Sequence, residues 1–250
     1  MVTAVIPSRH RSSRFPGKAL VPVGGEPLVG RVARAVIAAD VARRVLVATD
    51  HEEIAAAARA AGAEVWISAA PYRSGSDRVA AALAWLGQEP AAVLNVQGDE
   101  ALVSPEMLRA ALCALDGNAM GTVAVPLPAD PGRRASPDTV GVLWDPEAGR
   151  ALDFRRGPEG GALAHVGIYS FTPASLRRFA ALRSSPRERA ERLEQLRFVE
   201  NGEPIGLRVV RGAAAAINRP GDVARIERIL STTDTHRTPR WPTSQPRSSS

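Results

Sequence analysis

VTAVIPSRHRSSRFPGKAL, residues 2–20, joins a short apolar run directly to a basic loop. Residues 2–6 are too few for a helix, so they predict a buried strand. The loop after them carries three arginines and Lys18, the only lysine of the chain. Gly17 lets the backbone approach a ligand closely, and backbone N–H groups beside cations can bind phosphate oxygens. The stretch therefore predicts a phosphate-binding loop after the first strand, and the alternative is a solvated basic surface loop.

Strands and helices alternate along the first half of the sequence. Strands of four to seven apolar residues alternating with helices of ten to fifteen predict an α/β fold with a parallel, doubly wound sheet. In such a sheet the functional loops follow the carboxyl ends of the strands. The predicted strands are 2–6, 44–49, 64–68 and 92–96, and the predicted helices are 27–39, 52–61, 74–86 and 105–115.

The pattern changes after residue 120, where strands become more frequent. We expect one domain over residues 1–230, with a smaller mixed-sheet lobe at about 121–210. Residues 231–250 are rich in Ser, Thr, Pro and Arg and lack periodicity, so they predict a disordered tail. Strands are predicted at 121–125, 140–144, 163–171 and 205–210, and helices at 173–181, 186–199 and 220–230.

Composition excludes several classes of protein. The aromatic fraction is 4%, too low for a platform that stacks nucleic-acid bases, so no nucleic-acid partner is expected despite the net charge of +6. The sequence has no long apolar run and no secretory leader, so we expect no membrane association and a cytoplasmic location. The single cysteine, Cys113, excludes an internal disulfide framework. Triphosphates and small acids remain as anionic partners.

The basic loop resembles the signature R-x-x-S-x-R-x-P-G-K of the sugar-activating cytidylyltransferases. The matching residues are Arg9, Ser12, Arg14, Pro16, Gly17 and Lys18. Six further stretches are similar and follow in the same order: VATDHEEIA, SGSDRVA, NVQGDE, HVGIYSF, SSPRERAERLEQLRF and AINRPGDVARI. Within that superfamily the chain is most similar to the 3-deoxy-manno-octulosonate cytidylyltransferases (CMP-Kdo synthetases), over about residues 2–230.

This resemblance implies a fold, a reaction and partners. The fold would be a Rossmann-like nucleotidyltransferase fold of glycosyltransferase-A type, with residues 1–120 and 211–230 binding the nucleotide. Residues 121–210 would form the lobe for the acceptor and for homodimerisation. The reaction would transfer CMP from CTP to a small acidic acceptor and release pyrophosphate, with Mg²⁺ as cofactor. No protein nucleophile is needed, because the acceptor's own oxygen attacks the α-phosphorus.

The same resemblance assigns residues to the site. Asp99 also stands out from the sequence alone, since it follows the fourth predicted strand and a carboxylate there suits Mg²⁺. The expected catalytic residues are Arg9, Lys18 and Asp99. The expected nucleotide-binding residues are Pro7, Arg9, Ser12, Arg14, Gly17, Lys18, Ser74, Gly75, Arg78 and Gln97, with Asp77 beside Arg78 in the same pocket. The expected acceptor-binding residues are Gln97, Arg156, His165, Tyr169, Glu194 and Gln195, with Arg197 beside them, and the expected metal ligands are Asp99 and Asn218.

Two departures from the family pattern affect these expectations. The second metal-binding aspartate of the family's V-D-T-P-E-D-L stretch is replaced by Asn218, which keeps one oxygen and loses the charge; Asp222, one helical turn away, is a poor direct substitute. Only residues 157–164 separate Arg156 from His165, where the family has a longer loop. The first predicts a weaker or differently built second metal contact, and the second predicts a smaller acceptor.

Three alternatives to CMP-Kdo synthesis therefore stay open. The chain could transfer CMP to a small phosphonate or to another acid of specialised metabolism. It could instead be a catalytically weak nucleotide-binding or regulatory protein, as Asn218 suggests. A basic nucleic-acid binder is the third, and its binding would weaken steeply with salt.

Overall fold

The computed structural model describes residues 1–12, 14–87, 89–127, 138–157 and 161–234. Within these ranges the chain forms eleven strands, eight α-helices and a short 3₁₀ turn at Lys18–Leu20. The strands are β1 Val2–Ser8, β2 Pro22–Val23, β3 Glu26–Pro27, β4 Arg44–Thr49, β5 Glu64–Ile67, β6 Ala92–Val96, β7 Met120–Pro126, β8 Val140–Asp145, β9 Arg150–Arg156, β10 Leu163–Phe171 and β11 Ile205–Val209. The helices are α1 Leu28–Ala38, α2 Glu52–Ala60, α3 Gly75–Trp85, α4 Pro105–Ala114, α5 Pro173–Ala181, α6 Pro186–Glu191, α7 Leu196–Val199 and α8 Pro220–Asp234.

Nine strands form one twisted, mixed sheet, in the order β5-β4-β1-β6-β10-β7-β11-β9-β8. The first four strands of this order are parallel, as the alternation of strands and helices predicts. Strand β10 then runs antiparallel to both β6 and β7, and β8 pairs with β9 as an antiparallel hairpin. The mixed part therefore continues the parallel sheet through β10 instead of forming a sheet of its own.

Helices cover both faces of the sheet. Ala4 and Ile6 of β1 pack into the core on one face, and Val5 between them packs into the core on the other. Successive side chains of a strand point to opposite faces, so a strand buried on both sides must be apolar at every position. This explains the continuous apolar run that begins the sequence. Across the described residues, no helix is both long and apolar enough to span a membrane.

Three differences separate the predicted elements from the structure. The helix expected over 186–199 is divided into α6 and α7, because Arg192 adopts the left-handed conformation (φ 56°) that ends a helix. Strand β9 was not predicted, since its sequence RALDFRR has too few apolar residues for a strand pattern. Helix α8 extends to Asp234, four residues into the predicted tail. Residues 235–250 of that tail, and residues 158–160 of the short connection, lie outside the described ranges.

A buried arginine ties α3 to the helices of the second half. The Arg197 side chain is fully buried, and its two terminal nitrogens donate to the two carboxylate oxygens of Asp77 at 2.9 and 3.1 Å. Its Nε donates to Glu188 at 3.0 Å, and its guanidinium stacks 4.2 Å from the ring centre of Phe179. Burial alone would raise the pKa of Asp77, but Arg197 and Arg73 hold it below its usual value. Arg197, expected near the acceptor, therefore crosslinks the core.

We expect Arg197→Met to lower the free energy of unfolding by about 3–5 kcal/mol, because it leaves two buried carboxylates without their partner. Urea denaturation of the wild type and the variant measures this. Arg177→Met is the matched control, since the Arg177–Glu89 ion pair is exposed and should contribute less than about 1 kcal/mol. Equal losses from the two substitutions would contradict the structural role of Arg197.

Candidate active site

A cleft of about 2210 Å³ lies beyond the carboxyl ends of β1 and β6. Its walls come from the basic loop, the start of α3, the segment after β6, strand β10 and the start of α8. Of the residues that the sequence placed at the site, all except Gly17, Asp77 and Arg197 line this cleft, and Asp77 is instead the partner of Arg197. The fold thus brings together side chains from both halves of the chain, while their individual roles remain predictions.

Lys18 joins the basic loop to two other segments of the cleft. Its ammonium forms an ion pair with Oδ2 of Asp99 and donates to the carbonyl of Ile217 at 3.1 Å. The Ile217 N–H in turn donates to the Asp99 carbonyl at 2.9 Å, so the segments after β6 and before α8 are paired. Gly17 does not line the cleft but has φ 71°, a left-handed value that turns the chain into the 3₁₀ turn beginning at Lys18.

Arg14 lies four residues before Lys18 in the basic loop. One terminal nitrogen pairs with Oδ1 of Asp138, and the other donates to Oδ1 of Asn218 at 3.0 Å. Asp222 does not join this group, because its Oδ2 accepts the backbone N–H groups of Asn218 at 2.8 Å and Arg219 at 2.9 Å. Since these N–H groups lie at the start of α8, Asp222 satisfies donors that a helix end leaves unpaired.

Oxygen ligands for a metal are few in this cleft. Among the described residues, no three or more His, Cys, Asp or Glu side chains cluster closely enough to hold an ion by themselves. Mg²⁺ in phosphate-transfer sites is bound through one or two carboxylates together with substrate phosphates. Asp99, beside the cations of the basic loop, fits a cation that enters with a triphosphate, and does not fit a preformed protein cage.

Neutral hydrogen-bonding groups form the floor of the cleft on β10. Burial lowers the pKa of His165 to about 3, so its imidazole is neutral, and Nε2 lies 3.0 Å from the hydroxyl of Thr122. The Tyr169 hydroxyl donates to Oε1 of Gln195 at 3.2 Å. Nε2 of Gln195 is buried and has no hydrogen-bond partner among the described residues. A buried unpaired donor costs about 1–3 kcal/mol, so a ligand that accepts from this amide would remove that cost.

Glu194 connects the β10 side of the cleft to the start of α3. Its two carboxylate oxygens accept from the Ser76 N–H at 2.8 Å and from Nε2 of Gln97 at 2.9 Å. Burial raises the pKa of Glu194, while the hydrogen bonds from Ser76 and Ser74 oppose that rise. A Cβ at Gly75 would lie 2.6 Å from Nε2 of Gln97, so a larger residue there would displace the Gln97 side chain from its present contacts. Gln97 was expected to bind both the nucleotide and the acceptor. It lies between the predicted nucleotide-binding residues and the predicted acceptor-binding residues.

Arg156 supplies positive charge on the β9 side. Its guanidinium nitrogens donate to the backbone carbonyls of Glu191 at 3.2 Å, Asp138 at 3.3 Å and Arg192 at 3.4 Å. Because carbonyl groups carry no net charge, these bonds fix the guanidinium and leave its charge available to an anion. This geometry suits a residue that binds a carboxylate or phosphonate.

Several residues in the cleft were missed by the sequence reasoning. Glu100 lies next to Asp99, and its Oε1 accepts the Gly167 N–H at 2.7 Å. Burial, and then the neighbouring Asp99, raises the pKa of Glu100 to about 7. Asp138 was missed because it follows no predicted strand and lies next to no motif. Other missed residues of the lining are Arg11, Tyr72, Arg183, Arg189, Arg225 and Arg228.

Comparison with known proteins gives the family. Residues 3–205 match the sequence profile of a family described as Cytidylyltransferase. The chain belongs to the cytidylyltransferase family. It is therefore a nucleotidyltransferase enzyme, as the basic loop predicted, and the prediction of an α/β nucleotidyltransferase fold is confirmed.

Two relatives of this cytidylyltransferase are named 3-deoxy-manno-octulosonate cytidylyltransferase. The protein of Azorhizobium caulinodans is 41% identical over 243 residues, which cover 93% of this chain and 97% of the relative. The protein of Anaeromyxobacter sp. strain Fw109-5 is 40% identical over 240 residues, which cover 92% and 97%. A solved structure of CMP:2-keto-3-deoxy-manno-octonic acid synthetase complexed with CTP superimposes with a TM-score of 0.81 at 27% identity, covering 93% of this chain and 99% of that one.

The raised pKa of Glu100 predicts a pH dependence of stability. The folded, metal-free protein favours the protonated acid. The stabilisation that the protonated Glu100 gives to the folded state is complete below pH 4.5 and is lost as the pH rises through about 7. Glu100→Gln should remove the loss while keeping an oxygen for the Gly167 N–H. Between about pH 5 and about pH 8, the free energy of unfolding of the variant should gain about 2 kcal/mol relative to the wild type.

Urea denaturation in EDTA at both pH values measures this difference. Glu147→Gln, in an exposed turn, is the control and should show no such gain. A Glu100→Gln difference that stays constant between the two pH values would contradict a neutral Glu100 in the folded protein.

Proposed function

We propose that this cytidylyltransferase transfers CMP from CTP to 3-deoxy-manno-octulosonate (Kdo) and releases pyrophosphate. The observation that carries the proposal is the ion pair of Lys18 with Asp99 inside one cleft, in a chain similar to an enzyme solved with CTP. A cation and a carboxylate side by side in a cleft suit a triphosphate, because the cation can contact phosphate while the carboxylate holds the accompanying metal.

The basic loop would bind the triphosphate. Arg9, Ser12, Arg14 and Lys18 all line the cleft and can donate to phosphate oxygens. Negative charge develops on the leaving pyrophosphate during the displacement, and fixed cations stabilise it without reorganising. These residues therefore lower the barrier by binding the transition state more tightly than bound CTP.

The start of α3 would hold the cytidine. Ser74 accepts the N–H of Asp77 at 3.1 Å and donates to its carboxylate at 3.0 Å, which fixes the first turn of the helix. Arg78 lies 4.8 Å from the ring centre of Tyr72 and donates to the Ser68 carbonyl at 3.2 Å. The preference for cytosine is inferred from the relatives. The residues at the start of α3 would make the contacts that select this base.

Mg²⁺ is the cofactor that we propose, with Asp99 as its carboxylate and the amide oxygen of Asn218 as a second donor. When bound, it would neutralise phosphate charge at the displacement. The protein itself would hold the acceptor oxygen in line with the α-phosphorus, and such positioning contributes a large part of the rate enhancement.

An acid with hydroxyl groups suits the other half of the cleft. Arg156 offers a fixed positive charge for the acid, while Gln195 offers a buried amide donor that is unpaired among the described residues. His165 is neutral, so it can donate or accept a hydrogen bond without adding charge. Kdo carries both a carboxylate and hydroxyl groups. A smaller acid or a phosphonate is the second candidate, because only residues 157–164 connect Arg156 to His165.

The remaining parts of the proposal concern assembly and location. We propose a homodimer, in which Leu143 and Leu152 of the β8–β9 hairpin, 56% and 52% exposed, are covered. We propose a cytoplasmic location, where CTP is available, and no nucleic-acid or membrane partner. A catalytically weak nucleotide-binding protein is the rival from another class, and absence of turnover with every acceptor would favour it.

Lys18→Met should reduce pyrophosphate release at least about 100-fold and leave the fold intact, since it removes a cation that faces developing charge. Release is measured with CTP, Mg²⁺ and Kdo in a coupled assay, and the fold by circular dichroism. Arg59→Met is the control, because Arg59 lies on the exposed side of α2, where its partner is Glu52. Pyrophosphate release at the wild-type rate by Lys18→Met would refute the assigned site.

A panel of acceptors tests the choice of substrate. With CTP and Mg²⁺, Kdo should give faster pyrophosphate release than small phosphonates, and Arg156→Met should raise the KM for Kdo at least about tenfold with little change in the KM for CTP. Faster turnover with a phosphonate would replace Kdo as the acceptor. A parallel rise in both KM values would contradict the assignment of Arg156 to the acceptor.

A further inference from the structure

Asp138 is a second carboxylate in the cleft, just before β8. Its side chain is only 10% exposed, and its two oxygens bind two arginines from distant parts of the chain. Oδ1 pairs with Arg14 of the basic loop, and Oδ2 accepts from Nε of Arg219 at 2.6 Å. Arg156 also donates to the backbone carbonyl of Asp138 at 3.3 Å. The carboxylate is thus fixed in position on the wall of the cleft beside the basic loop.

The side chain of Asp138 lies beside that of Asn218. The two terminal nitrogens of Arg14 are neighbours in one planar group, and one binds Asp138 while the other binds the Asn218 side-chain oxygen at 3.0 Å. Both oxygens therefore face the same guanidinium edge. Arg219, which follows Asn218 in the chain, holds the other oxygen of Asp138 against the same segment. Two separate contacts thus bring Asp138 beside position 218.

The charges around position 218 favour a carboxylate near this position. The family pattern has an aspartate at position 218, and asparagine there removes one negative charge. Oδ2 of Asp222 accepts two backbone N–H groups at the start of α8, and Arg14 contacts Asp138 and Asn218 instead of Asp222. Burial alone would raise the pKa of Asp138, but Arg219 and Arg14 hold it below its usual value, so the carboxylate is ionised at neutral pH. Asp138 thus restores the charge that Asn218 lacks.

We propose that Asp138 supplies the second carboxylate of the nucleotide–metal site, in place of an aspartate at position 218. This inference rests on the proposed function, since it concerns the cation that would accompany CTP. Asp99 and Asp138 would then provide the two carboxylates, and Asn218 a neutral oxygen between them. Arg14 and Arg219 would be positioning residues that hold Asp138 toward the phosphates.

The experiment measures how much a divalent cation strengthens CTP binding. Isothermal titration calorimetry without acceptor gives the Kd for CTP in Mg²⁺ and in EDTA, and the ratio of the two values is the metal enhancement. Asp138→Asn should lower this enhancement at least about tenfold and change the Kd in EDTA little. The double variant Asp138→Asn with Asn218→Asp should restore it, because the carboxylate returns to the same place from the other segment.

Mn²⁺ provides a second readout that does not depend on turnover. Water-proton relaxation with Mn²⁺ and CTP should show fewer protein-bound ions for Asp138→Asn than for the wild type. Asp145→Asn is the matched control, since Asp145 ends β8, the strand that Asp138 precedes, and its side chain accepts N–H groups of an exposed turn. It should behave as the wild type in both measurements.

Three results would overturn the inference. The first is an unchanged metal enhancement in Asp138→Asn. The second is an equal loss of CTP affinity in Mg²⁺ and in EDTA, which would mean that Asp138 only orders Arg14. The third is a loss that Asn218→Asp does not restore. A wild-type chain that binds no CTP in either condition would instead refute the proposed function, and the inference with it.

Discussion

The cleft depends on the balance between the cations of one loop and the acids that face it. Lys18 is central to this balance, since its ammonium contacts both the Asp99 carboxylate and the Ile217 carbonyl. These contacts join segments that lie about 80 and 200 residues apart in sequence. Without opposing carboxylates, the arginines of the loop would repel one another in a partly buried place. The same cations are therefore structural partners in the free protein, and under the proposed function they would contact the phosphates of CTP.

The parallel part of the fold could be predicted because its signal is local. Strands β1, β4 and β6 are buried on both faces, so each is a mostly apolar run, with few polar residues such as Thr3 and Asn95. The rest depends on contacts between distant residues. Strand β9 is stable because it pairs with β8 and β11, although its own sequence is half charged. The left-handed Arg192, which divides α6 from α7, has no local sequence signal, since arginine rarely adopts that conformation.

The location of a site residue was predictable wherever that residue belongs to a motif, while its role was harder to predict. The expected ligand-binding residues do line one cleft, apart from Asp77 and from Gly17, which shapes the loop through its backbone conformation. Arg197 shows the limit: it lies in the same motif as Glu194 and Gln195, yet its side chain points into the core. Glu194 and Gln195 lie in the turn before α7, whereas Arg197 lies within α7, so adjacency in a motif does not mean a shared site.

Asp138 shows why a carboxylate can be lost from one segment without being lost from the site. Electrostatic stabilisation depends on where a charge lies in space and not on which segment carries it. Asp138 is 80 residues before Asn218 in the chain, but Arg14 contacts both side chains, so either position can place a negative charge against the same guanidinium. A sequence comparison limited to position 218 would indicate that one metal-binding carboxylate is missing. The geometry of Arg14 indicates that the number of carboxylates is kept and only their origin has changed.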